Sequence, residues 1–93
     1  MSASVQAKFP LGRLLTTPNA LDQIPGDEII AAISRHQCGD WGEVCPEDRE
    51  QNDEALRNGS SLHSVFCSRA GVKFWIITEH HRQSTTVLLP DDY

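Results

Sequence analysis

The stretch Lys73-Phe-Trp-Ile-Ile-Thr-Glu79 decides the fold that this sequence predicts. From Phe74 to Thr78 it is apolar or β-branched without a break, which is typical of a strand buried on both faces. We therefore expect Phe74 and Trp75 to lie on opposite faces of a central strand, both largely buried. A buried strand needs a neighbouring strand on each side. Leu62 to Cys67 before it and Thr85 to Leu89 after it have suitable lengths and residue types.

Three helices are predicted before these strands. A short one follows Thr17-Pro18, where a capping hydroxyl precedes a proline suited to the first helical position. A second begins at Asp27-Glu28, and a third, acidic and thinly apolar, begins at Pro46 and ends near Gly59. One face of the second helix is expected to carry Ile29, Ile30, Ile33 and Gln37. The fold class predicted is α+β, with two or three N-terminal helices packed on a C-terminal three-stranded antiparallel β-meander.

The length of 93 residues predicts a single domain, 1–93, with one core. Residues 1–8 lack periodicity and are expected to be disordered. The segment from Phe9 to Leu15 is apolar but contains Pro10 and Gly12, so it predicts a short edge strand or an extended arm. Because the helices can cover only one face of the sheet, we expect this arm or a second copy of the protein to close the other face.

The net charge of −5 disfavours nucleic acid as a partner, since the eight Lys and Arg residues are scattered and form no basic stripe. No apolar run approaches the ~20 residues of a membrane span, and the N-terminus lacks the apolar core of a secretory signal. We therefore expect a cytoplasmic protein that does not bind membranes and whose partner is another protein or a second copy of itself.

The cysteines Cys38, Cys45 and Cys67 are odd in number, which predicts reduced thiols rather than a disulfide framework. Together with His36, the first two form the spacing H-x-C-x6-C, which matches none of the usual structural zinc motifs. Phosphate-binding loops and dinucleotide fingerprints are absent from the sequence. We expect no metal, no cofactor and no catalytic residue.

A first candidate site is the polar segment from Arg35 to Glu43, which lies between two predicted helices. In the functional interpretation, Asp40, Trp41 and Glu43, with Glu47 of the third helix, form a binding surface. In the structural interpretation, Trp41 folds back into the core and Asp40 caps a turn, since packing is the commonest role of a tryptophan.

A second candidate is Glu79-His80-His81-Arg82 at a predicted hairpin tip. Two imidazoles, a carboxylate and a guanidinium are groups that general acid–base catalysis uses. Neighbouring residues on a strand point to opposite faces, however, so the two histidines serve one site only if the chain turns there. The structural alternative is a solvated turn.

Several stretches together resemble a known family. They are Arg35-His-x-x-Gly-Asp-Trp-Gly-Glu43, Glu47-Asp48, Asn52, Ala55-Leu56, Lys73 to Glu79, Arg82 and Thr85-Thr-Val-Leu-Leu-Pro90-Asp-x-Tyr93. The chain is similar to small uncharacterised bacterial proteins found on plasmids, integrative elements and integron gene cassettes, and the resemblance covers about two thirds of it. The resemblance implies an accessory gene of a mobile genetic element and no particular reaction.

The sequence is compatible with two functions from different classes. One is a small acidic, non-enzymatic binding or regulatory protein that contacts a host or element-encoded protein through Trp41, the acidic third helix and an exposed sheet edge, with Arg82 as a further binding residue. The alternative is a RelE-like ribonuclease toxin that uses the region of His80, His81 and Arg82. Net negative charge favours the first, because a protein that seizes RNA needs positive potential. The acidic run from Glu43 to Glu54 also allows imitation of DNA, although an ordinary solvated helix face explains it as well.

Overall fold

A computed structural model describes residues 7–93, which form three α-helices and a four-stranded mixed sheet. The strands are β1 (Arg13–Thr16), β2 (Leu62–Cys67), β3 (Lys73–Thr78) and β4 (Ser84–Leu88), in the order β1-β4-β3-β2 across the sheet. The helices are α1 (Pro18–Gln23), α2 (Gly26–Gln37) and α3 (Pro46–Asn58), and 3₁₀ turns span His80–Arg82 and Pro90–Asp92. The α+β class is confirmed, but the sheet has one strand more than predicted.

The antiparallel meander is present as strands β2, β3 and β4, with Val65 opposite Trp75 and Ile77 opposite Thr86. The additional strand, β1, pairs in parallel with β4 and forms the end of the sheet. It is the edge strand expected within the arm from Phe9 onward, shifted towards Thr16. The prediction of a sheet with only three strands was wrong. The neighbour of β1 lies some seventy positions later in the chain, and no local sequence pattern signals a pairing over that distance.

The buried face of α2 is rotated about the helix axis relative to the predicted one. Its buried residues are Ile29, Ala32, Ile33 and His36. Ile30 is 70% exposed, because successive residues of a helix are rotated by about 100° and the stripe through Ile29 and Ile33 leaves it outside. The helix thus presents one polar side chain, His36, to the interior of the protein.

The prediction that β3 is buried on both faces was wrong. Phe74, Ile76 and Thr78 are buried against α1 and α2, whereas Trp75 and Ile77 are only partly buried. The arm does not cover the second face, because β1 lies in the plane of the sheet and Phe9 packs on the helical side. We call this second face the outer face. Its centre is formed by Leu15, His63, Val65, Trp75, Ile77, Thr86 and Leu88, and the same registers place Arg13, Cys67, Lys73 and Ser84 at its ends.

Two groups of buried side chains make up the interior. The larger joins α1 and α2 to the inward residues of the strands, and the smaller contains Phe9, Trp41, Ala55 and Leu62. Residues 1–8 were predicted to be disordered, and residues 1–6 of this segment lie outside the described residues. The backbone N–H of Lys8 donates to the carbonyl of Gln37 at 2.8 Å. Within residues 7–93, none of the helices has the length and apolarity needed to cross a bilayer.

Candidate functional site

The loop after α2 places Trp41 inside the protein. Its side chain is 3% exposed and packs against the rings of Phe9 and His36, at centroid distances of 6.3 and 5.6 Å. The indole N–H donates to Oδ1 of Asp53 at 3.0 Å, which satisfies its one polar atom. Trp41 is therefore the core residue of the structural interpretation and not an exposed anchor, because a buried ring cannot meet a partner.

The same loop closes the free edge of β2. The carbonyl of Trp41 accepts the N–H of Val65 at 3.0 Å, and the N–H of Glu43 donates to the carbonyl of Val65 at 2.7 Å. Two residues earlier on the strand, the side-chain amide of Asn52 exchanges two hydrogen bonds with the backbone of His63, at 2.8 and 3.1 Å. The loop and α3 thus occupy the backbone groups that an added strand would need.

The backbone conformation explains why Gly39-Asp-Trp-Gly42 begins and ends with glycine. Gly42 has φ of +75°, and a Cβ on it would lie 2.0 Å from the carbonyl oxygen of Val65. Gly39, with φ of +86°, directly follows the end of α2, where a left-handed residue commonly terminates a helix. The segment that is most distinctive in the sequence is therefore explained by how it ends a helix and borders a strand.

Three of the predicted binding residues remain at the surface. Asp40 accepts the N–H of Gly42 at 3.1 Å, as the turn cap of the structural interpretation, and pairs with Arg35 at 2.7 Å. The hydrogen bond from Arg35 is the main cause that holds the pKa of Asp40 below its usual value. Glu43 and Glu47 are exposed and make no salt bridge within residues 7–93. These acids form a solvated flank beside β2, and they do not share one pocket, since Asp40 and Glu47 line two different surface depressions.

Arg82 links the β3–β4 turn to the end of α3 through hydrogen bonds. Its guanidinium donates to the carbonyls of Ala55 and Ser60 at 2.7 and 2.6 Å and reaches that of Gly59 at 3.4 Å. A cation is favourable there because the last carbonyls of a helix carry partial negative charge. Arg82 and His81 both have positive φ, 59° and 67°, a conformation that costs energy in residues other than glycine. The guanidinium is thus committed to the protein's own backbone.

His80 and His81 lie together at the exposed tip of this turn. Their ring centroids are 4.4 Å apart, since the positive φ of His81 turns the chain and brings side chains together that a strand would separate. Both residues are exposed, as the solvated-turn alternative expects. Arg82 points from the same turn towards α3, so the four groups of Glu79 to Arg82 do not converge on one pocket.

A chain of buried polar groups, absent from the sequence prediction, links α2 to three strands. The Thr85 hydroxyl donates to the carbonyl of Leu11 at 2.7 Å, so it accepts from the Thr78 hydroxyl at 2.8 Å. Thr78 in turn accepts Nε2–H of His36 at 2.8 Å, and Nδ1 of His36 accepts the Ser64 hydroxyl at 2.5 Å. Each hydroxyl has one proton, so this order assigns the neutral Nε2–H tautomer to His36.

This chain is a structural network. Burial, with smaller contributions from His63 and Arg82, lowers the pKa of His36 from 6.5 to about 4 and keeps the ring neutral. His36 and Ser64 both have 0% exposure, so the pair cannot act on a substrate as a nucleophile and its base. One signal in the sequence indicated the network. Ser64, Thr78 and Thr85 occupy inward positions of strands whose other inward residues are apolar.

The outer face carries a row of aromatic rings. The Trp75 ring lies edge-on to His63 at 4.7 Å and to Tyr93 at 5.6 Å, and Tyr93 is 83% exposed. The Nε2 atom of His63 is buried without a hydrogen-bond partner, and burial is the main cause that lowers the pKa of this histidine. Val65 and Ile77 extend the row with aliphatic surface. Sequence reasoning missed this surface because it assigned Trp75 to the core.

Comparisons of the chain with protein-family models, with curated proteins and with solved structures found no significant match. The resemblance to proteins of mobile elements therefore stays a prediction, and the residues themselves carry the functional argument.

The thiols do not join a ligand set. Cys45 and Cys67 are exposed, Cys38 is partly buried, and all three are free. In the part of the chain that the structure describes, no three His, Cys, Asp or Glu side chains come together as metal ligands. His36, the histidine nearest to Cys38 in sequence, uses both ring nitrogens in the buried network.

Proposed function

We propose that this chain is a small acidic, non-enzymatic binding protein of a mobile genetic element and that it contacts a protein partner through the outer face. The observation that carries the proposal is the aromatic row of His63, Trp75 and Tyr93 on a sheet face that no helix of residues 7–93 covers. Aromatic side chains next to aliphatic ones are the usual centre of a protein interface.

The contacts of His36 and of Arg82, the guanidinium of the predicted acid–base site, support a non-enzymatic role. His36 is buried and neutral, and the guanidinium of Arg82 is held by backbone carbonyls. A ribonuclease of the RelE-like kind needs such a guanidinium free to meet phosphate. Of the groups in this alternative, His80 and His81 stay exposed, next to the acidic Glu79 and on a chain with net charge −5. These contacts and this charge weigh against the ribonuclease.

Charge indicates what kind of partner fits the outer face. The centre of the outer face carries no charged residue, and Lys73 and Arg13 lie at its ends, whereas α3 beside β2 carries five carboxylates and two arginines. Asp48 of this helix lies near enough to His63 to act on its pKa. An extended segment with apolar side chains and flanking Lys or Arg complements such a surface. The exposed acids Asp40, Glu43 and Glu47 then belong to the polar rim, and Trp41 and Arg82 support it from within.

The test uses peptides selected from a random library displayed on phage, with the immobilised protein as bait. We expect enriched peptides that combine aliphatic and basic residues. Titrated into ¹⁵N-labelled protein, they should shift the amide signals of Trp75, Ile77 and Thr86. Ile77→Lys should weaken their binding about tenfold or more, since a cation replaces an aliphatic contact and repels the basic peptide.

The matched control is Ile30→Lys, which adds the same charge at a residue that is 70% exposed on α2. It should bind the peptides as the parent protein does. Peptides that bind Ile77→Lys as tightly as the parent, or whose signals map only to α3, would remove the outer face from the proposal. RNA cleavage abolished by His81→Ala in the folded protein would instead favour the ribonuclease.

A further inference from the structure

We infer that β1 pairs antiparallel with β1 of a second copy, so that two sheets join edge to edge about a two-fold axis at Leu15. The two ends of the sheet differ in a way that points to this. The β2 edge is closed by the Trp41–Glu43 loop and by Asn52. Against the free edge of β1, residues 7–93 place no strand. The inference rests on this edge and does not depend on the function proposed for the outer face.

The backbone of β1 sets the register of such a pair. The N–H groups of Arg13 and Thr17 donate to β4, at 2.9 and 3.0 Å. Because backbone groups alternate in direction along a strand, those of Leu14 and Thr16 point away from β4. Two copies satisfy these groups when Leu14 of each faces Thr16 of the other, which gives four hydrogen bonds and leaves Leu15 opposite itself on the axis.

The side chains of β1 suit this register. Leu14 and Leu15 are 48% and 43% exposed, and the strand contains neither a proline nor a lysine that would block an added strand. On the axis, Leu15 of one copy meets Leu15 of the other on the outer face. The only charged residue of the strand, Arg13, comes opposite Thr17 of the second copy, so no like charges face each other.

Charge complementarity at both ends supports a second copy as the occupant. Arg13 makes no salt bridge within residues 7–93. Opposite it, Thr17 of the second copy hydrogen-bonds the carboxylate of its own Asp92 at 2.7 Å, which places an acid next to the guanidinium. The two-fold axis repeats this pairing at the other end. The outer faces of the two copies then form one continuous surface.

Cross-linking tests the register directly. In a chain whose three native cysteines are replaced by serine, Leu15→Cys should form an intermolecular disulfide in mild oxidant. Its Cα atoms would lie about 4.5 Å apart in a non-hydrogen-bonded pair, which a disulfide can span. Leu14→Cys is the matched control, because its Cα atoms would be more than about 7 Å apart. Equal cross-linking of the two variants would overturn the register.

Sedimentation of the native chain over a range of concentrations tests the association itself. We expect a dimer in the micromolar range that Leu15→Glu weakens at least tenfold, since two carboxylates would meet on the axis, while Ile30→Glu leaves it intact. Arg13→Glu should weaken it about tenfold through the loss of two ion pairs. A protein that stays monomeric up to about 1 mM, or a dimer that Leu15→Glu leaves unchanged, would overturn the inference.

Discussion

His36 ties the stability of the protein to pH through a single buried ring. Its pKa is about 4 in the folded chain and 6.5 without burial. Between these values the unfolded chain binds a proton that the folded chain does not, so the free energy of unfolding rises with pH. The stabilisation is complete above about pH 6.5 and is lost as the pH falls towards 4. His63, whose pKa burial also lowers, acts in the same direction.

We expect the free energy of unfolding to fall by about 2 to 3 kcal/mol between about pH 7.5 and about pH 4.5. Urea unfolding at a series of pH values measures it. His36→Gln, which keeps an amide donor and an acceptor, should be less stable at neutral pH and lose most of this slope, whereas His63→Gln should keep most of it. A folded His36→Gln protein with the parent's slope would show that other groups cause the dependence.

At the scale of elements, the end of α3 and the β3–β4 turn depend on one guanidinium. Arg82→Ala removes the donor for Ala55 and Ser60 and releases a turn with two left-handed residues. We expect it to lower the free energy of unfolding by about 2 to 3 kcal/mol, as hydrogen bonds to charged groups contribute about 1.5 to 3. Thermal or urea unfolding provides the measurement.

Two variants serve as controls for Arg82. Arg82→Lys keeps the charge but lacks the fork that reaches several carbonyls, so it should recover only part of the loss. His81→Gly should raise stability slightly, because glycine adopts the same positive φ without strain. An Arg82→Ala protein as stable as the parent would contradict the assigned contacts.

Elements with a local signal were predictable from the sequence, and pairing between distant elements was not. Strands β2, β3 and β4 fall within a residue or so of their predicted ranges, since hydrophobic runs and turn residues mark them. The parallel partner of β1 and the open outer face depend on where distant segments lie. Trp75 illustrates the second case, because an unbroken apolar run does not tell which of its faces the helices will cover.

The candidate site was predicted less well than the fold. Asp40, Glu43 and Glu47 are exposed as a binding surface requires, but Trp41 and Arg82 serve packing and hydrogen bonding. Residue type alone cannot separate these roles, because a tryptophan or arginine that supports a fold uses the same atoms as one that binds a partner. The deciding quantities are burial and the identity of the acceptor.

At the scale of the whole molecule, we expect folding to require neither metal nor disulfides. The described thiols are free, and residues 7–93 bring no ligand set together. Chelator and reductant should therefore leave the urea midpoint unchanged, and elemental analysis of the purified protein should find no stoichiometric metal. Bound zinc whose removal unfolds the protein would contradict this prediction and would return Cys38 and Cys45 to consideration as ligands.

The pairing of β1 with β4 also constrains how the protein matures during its synthesis. β1 leaves the ribosome before its only strand neighbour among residues 7–93, because β4 and the Thr85 hydroxyl that binds the carbonyl of Leu11 follow it by about seventy residues in the chain. Until then the Thr78 hydroxyl, which binds His36, lacks its partner Thr85, and Val87 is missing from the core that α1 and α2 cover. Cooperative folding must therefore wait for β4, and a nascent chain stalled before β4 emerges presents an incomplete apolar core to chaperones and proteases.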